Sequence, residues 1–166
     1  MLLYHPLYDA CHCVFRMLQL LEEAPENSYE LDKMRILDFY MVFPSLINAM
    51  KMPQSARKYR KHFKSVTSYE DKGNPKSLFQ RAEPYQMLAV KYLQALEVID
   101  ETQIQLGVIC RTKKELPKEL RDSISTRTQS MQDVVKFLVE ELAGVQLSGD
   151  GGLKARTKLM EYQYDT

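Results

Sequence analysis

The chain has no tryptophan, and only three cysteines and three histidines among its 166 residues. Three thiols, an odd and sparse number, exclude a disulfide scaffold and fit reduced cysteines in a cytoplasm. Three histidines, His5, His12 and His62, leave little material for metal or acid–base chemistry. No apolar run approaches the roughly 18 residues that a membrane helix needs. The opening MLLYHPLYDA lacks the basic segment and small-residue cleavage site of a signal peptide, so a cytoplasmic location is expected. No nucleophile elbow, zinc-protease helix or phosphate-binding Walker loop occurs. These gaps lead us to expect neither an enzyme nor a cofactor. What remains is 45% hydrophobic and 27% charged, the composition of a single soluble domain spanning residues 1–166.

The net charge of +1 conceals a segregated distribution. Residues 1–50 carry a balance of −4, residues 51–81 carry +7, and residues 82–150 carry −3. No acidic residue lies between Asp38 and Glu70. Within the basic block Arg57, Lys58, Arg60, Lys61 and Lys64 are interleaved with Tyr59 and Phe63. If that stretch is helical, the two aromatics share a face beside the cations. Such a patch suits a phosphate backbone or an acidic protein surface, or is a solvated face held down by two rings.

Periodicity predicts mostly helices. Ala10, Cys13, Val14, Met17, Leu18 and Leu21 form the apolar stripe of a helix over 6–23, which places Asp9, His12, Arg16, Gln19 and Glu23 toward solvent. Asn27 and Glu30 have capping-box spacing for a second helix, apolar almost all round from Ile36 to Phe43 and stopped by Pro44. Ser77 is positioned to cap a third helix with Leu78, Tyr85, Leu88, Ala89, Tyr92, Leu93 and Leu96 as its packing face, kinked or restarted at Pro84. Alternation over 98–111 predicts one or two short strands. Pro117 opens a further helix, and Met131, Val134, Val135, Leu138, Val139 and Leu142 form a last stripe. Residues 158–164 read as an edge strand, and loops are expected near 70–76 and 148–152. The fold class is therefore mainly α with a small β element (α+β), compatible with a helical domain carrying a winged-helix-like module.

Cys11-His12-Cys13 resembles a soft-metal cluster, but neighbours on a helix point about 100° apart, so the two thiols diverge. A buried Cys13 with His12 outside is the better reading. Gly149-Asp150-Gly151-Gly152, followed by Lys154 and Arg156, lacks the spacing of a phosphate loop and reads as a surface loop. Nine methionines, most on helical stripes, fit a core and in part an adaptable docking surface.

Three stretches carry a family resemblance: Tyr4-His5-Pro6-Leu7-Tyr8-Asp9-Ala10; Arg35 with Asp38-Phe39-Tyr40 before Phe43-Pro44; and Gly152-Leu153-Lys154-Ala155-Arg156-Thr157. End to end, the chain resembles the middle component of bacterial ABC-three-component systems, which include Lamassu-type defence against phages and plasmids. The resemblance implies a small non-enzymatic adaptor with a helical, winged-helix-like fold. It would join an SMC/Rad50-like ATPase to an effector, often a nuclease, with DNA contacted directly or through the complex. In that scheme Arg35, Asp38, Phe39, Tyr40 and Phe43 mark a partner-docking helix. Arg35 and Asp38, three residues apart, would form a local pair or a cross-helix clamp. The alternative function is a free-standing winged-helix-like DNA-binding regulator.

Overall fold

The computed structural model describes residues 5–63 and 73–163. A 3-10 turn, Pro6–Tyr8, leads into α1, Ala10–Glu23, where the Asp9 carboxylate accepts from the His12 backbone N–H as N-cap. β1, Ser28–Glu30, precedes α2, Leu31–Val42. Two 3-10 helices follow, Pro44–Ala49 and Gln54–Lys61. α3 spans Pro75–Ala95, α4 Glu101–Gln105 and β2 Val108–Cys110. α5, Lys118–Ser130, and α6, Gln132–Lys136, run into a π-helical segment, Phe137–Leu142, and α7, Leu153–Thr157, closes the described chain. The result is a mainly helical α+β fold with one small sheet.

α1 is the hub, packed against α2, α3 and α5. Coverage from three sides overrides the polar stripe: Arg16 and Gln19, expected in solvent, are buried. Gln19 donates from its amide to the Thr128 hydroxyl of α5, and Arg127 of α5 lies 4.3 Å from the centre of the Phe15 ring. The oily second helix is buried almost all round, as its composition required. Phe39 packs against Phe43 and Phe79 at centroid distances of 5.0 and 5.7 Å. Ring pairs of this kind add about 0.5–1.5 kcal/mol each beyond area burial.

The sheet departs from expectation. β1 pairs antiparallel with β2 in the register Tyr29↔Ile109, joining segments eighty residues apart. The paired segment lies within the stretch where alternation predicted a strand, but its partner is not a local hairpin neighbour. Ile99 makes a single bridge to Arg111, and Ile104 lies in α4. Asn27, read as a helix cap, has φ of +52° and turns the chain into β1. The helix begins only at Leu31, whose N–H donates to the Gly107 carbonyl, and Gly107 itself has φ of +77°.

α3 also differs in its packing face. Asn74, not Ser77, caps it, and it runs unbroken past Pro84. That proline removes the bond to the Gln80 carbonyl, but both residues lie on the exposed side, where water can serve the oxygen. The buried face consists of Leu78, Phe79, Ala82, Gln86, Ala89, Val90 and Leu93. Tyr85, Leu88, Tyr92 and Leu96, expected to pack, are instead 36–48% exposed. No strand forms over the described part of 158–164. Lys158, with φ of +56°, ends α7 in a left-handed cap. Among the described residues no helix is long and apolar enough to cross a membrane.

Candidate functional site

Two charged constructions stand out, one internal and one external. The internal one ties α1, α2 and α3 together. Arg16 donates through Nε to Asp38 Oδ1 at 2.6 Å and through Nη2 to Oδ2 at 3.3 Å, while its Nη1 reaches the Pro6 carbonyl at 3.1 Å. Gln86 donates to Asp38 Oδ2 at 2.9 Å and to the Arg35 carbonyl at 3.1 Å. Its own Oε1 accepts from Arg35 Nε at 3.1 Å. Arg35 continues outward to Glu83 at 2.8 Å and Asp32 at 3.4 Å, with its guanidinium 4.8 Å from the centre of the Phe79 ring.

Asp38 is wholly buried, and its two oxygens are shared among Arg16, Gln86 and the Cys13 thiol. Burial by itself would lower the Arg16 pKa, but the charge and hydrogen bonds of Asp38, together with Cys13, more than offset that, so the guanidinium is held charged. Burial, followed by the Asp38 charge, pushes the Cys13 thiol well above its ordinary range. Cys13 is buried and Cys11 exposed, as expected for side chains two residues, and so about 200°, apart on a helix. The donors and acceptors of this cluster are spent on one another, and its chemistry is that of an interhelical lock.

Sequence reasoning singled out Arg35 and Asp38 but not how they are used. They do not pair with each other; Gln86 bridges them, and the main counter-charge of Asp38 is Arg16 from another helix. Arg16 and Gln86 carried no signal, because a polar residue on a helix reads as solvent-facing until its partners are known. Arg35, Asp38, Phe39, Tyr40 and Phe43, expected as a docking face, are all interior. The surrounding helices of the same chain already cover α2.

The external construction is the basic 3-10 helix. Arg57, Lys58, Arg60, Lys61 and His62 are exposed, with Tyr59 half-buried and Phe63 buried. Both aromatics rest on Phe137 of the π-helical segment, at centroid distances of 5.5 and 5.1 Å. With three residues per turn, Arg57 aligns with Arg60 and Lys58 with Lys61. Lys58 lies over the Tyr59 ring and pairs with Glu141 at 3.3 Å. Lys64 lies outside the described residues. The glycine turn near 149–152 folds onto its own chain: Arg156 donates to the carbonyls of Gly151 and Lys51.

The family model of the ABC-three component (ABC-3C) system Middle Component 5 matches residues 2–165. The chain belongs to this family. No curated protein and no solved structure matches it. A Middle Component 5 chain is one part of a multi-component system and has partners within it. Because α2 is interior, it is not a free surface; the basic 3-10 helix and the apolar stripe of α3 are exposed.

Proposed function

We propose that this middle component is a non-enzymatic adaptor of a bacterial anti-phage and anti-plasmid defence complex of the Lamassu type, acting in the cytoplasm. It joins an SMC/Rad50-like ATPase to an effector, often a nuclease, and its basic 3-10 helix lies against DNA. The observation that carries this reading is the family match along residues 2–165. Two features support it. The buried ionisable groups are used to lock helices together, and Tyr85, Leu88, Tyr92 and Leu96 present an apolar stripe of the kind that meets another subunit.

Co-expression with the neighbouring components and pull-down on this chain tests the reading. The expected result is a stable complex containing the ATPase. Sequence-specific binding to its own promoter by the chain alone, with no complex formed, would overturn it in favour of a free-standing regulator.

A further inference from the structure

A groove of about 1010 Å³ lies between β1 and the wall formed by α6 and the π-helical segment. Ser28, Tyr29 and Glu30 all line it. Successive strand residues point to opposite faces, so a cavity touching all three reaches the edge of the strand, and Val108 of β2 in its lining shows that it also extends over the sheet. That edge is unpaired among the described residues: the sheet order is β1-β2, and the Ile99–Arg111 bridge sits beyond β2 on the other side. Leu31 N–H to the Gly107 carbonyl and Arg111 N–H to the Asn27 carbonyl place residues 27, 29 and 31 on the β2 side of the ladder. The N–H groups of Ser28 and Glu30 therefore turn toward the groove.

The side chains around this edge are chemically selective. Glu23, Glu26, Glu30 and Glu140 surround it, against Lys33 and Lys136, and the Lys33 ammonium is engaged by the Ala143 carbonyl at 3.0 Å. Tyr29 is 7% exposed, and its hydroxyl is buried with no hydrogen-bond partner among the described residues. Burial and the nearby Glu23 push that phenol up to about 12, so it stays protonated and able to donate. The opposite wall is π-helical, a geometry often found at functional sites.

We propose that this groove receives an extended, Lys/Arg-bearing segment of another component, which adds as a strand to the free edge of β1. Main-chain bonds to the edge supply affinity, and the four carboxylates select basic side chains. The proposal rests on the adaptor reading and gives it one specific interface.

The test uses the full chain and short overlapping peptides tiling the other components of its system, with scrambled and Lys/Arg→Gln versions as controls. Basic peptides are expected to bind. Binding should slow amide exchange at Ser28 and Glu30, and should weaken at least tenfold in Glu26→Lys/Glu140→Lys. The proposal is overturned if no tiled peptide binds better than its scrambled control. It is equally overturned if binding survives the charge reversal, or leaves exchange at Ser28 and Glu30 unchanged. If the groove fails in these ways while the wild-type complex still co-purifies, the adaptor reading stands without it. Failure of the wild-type complex to form removes the adaptor reading itself.

Discussion

Asp38→Ala is expected to lower the unfolding free energy by about 3–5 kcal/mol, because it leaves the buried Arg16 guanidinium without its counter-charge. It also strands the Gln86 amide, which donates to the same carboxylate. Against a typical total stability of about 5–15 kcal/mol, such a loss puts the variant near the threshold of folding. Replacing both charges, in Arg16→Met/Asp38→Leu, should cost less than the sum of the two single changes. The desolvation of two ions disappears together with their attraction. Urea melts of the two singles and the double give the coupling energy. An Asp38→Ala chain that unfolds within 1 kcal/mol of the parent would show that Asp38 does not lock the three helices.

Reversing Arg57, Arg60 and Lys61 to Glu is expected to reduce duplex DNA affinity more than tenfold at low salt, if the basic 3-10 helix tracks a phosphate backbone as proposed. Each phosphate contact contributes about 0.9 to the slope of log K against log salt, so losing three should flatten that slope by about 3. All three residues are exposed, and the segment is anchored by Tyr59 and Phe63 on Phe137, so the fold should tolerate the change. Lys58 is left in place because it pairs with Glu141. Titration of the purified chain, or of its complex, into labelled duplex over a salt series measures both quantities. Equal affinity and an equal salt slope in parent and variant would remove DNA from the role of this segment.

The patterns visible in sequence and those invisible to it divide along a physical line. Cys13, Met17, Leu18 and Leu21 could be read as core because apolar side chains on one face have a single destination. The all-round apolarity of Ile36 to Phe43 announced a buried helix in the same way. Arg16, Gln19 and Gln86 could not be placed, because burying a polar group depends on partners far along the chain: Asp38 for Arg16, Thr128 for Gln19, Arg35 and Asp38 for Gln86. The packing face of α3 is only partly legible, for a related reason. Leu78, Ala89 and Leu93 pack as expected, but bulky Tyr85, Leu88 and Tyr92 do not; small Ala82 sits inward with Gln86, whose side chain spans to α2. Ser28–Glu30 became a strand only because residues 108–110 lie beside it, a long-range pairing that outweighed the local capping signature. The basic segment was legible as a charged patch on two aromatic anchors. Phe137, the ring beneath both anchors, was not, since nothing local connects it to residues 54–63.

The measurement closest to the central claim is an omission experiment. The ATPase and the effector proposed as its partners are co-expressed with and without this chain, and the mass of the species captured on the ATPase is determined. An adaptor predicts that effector and ATPase co-purify in one assembly only when this chain is present. It also predicts that the assembly falls apart when the chain carries Asp38→Ala at a temperature where that variant is unfolded. Co-purification of ATPase and effector in full yield without the chain would contradict the adaptor role.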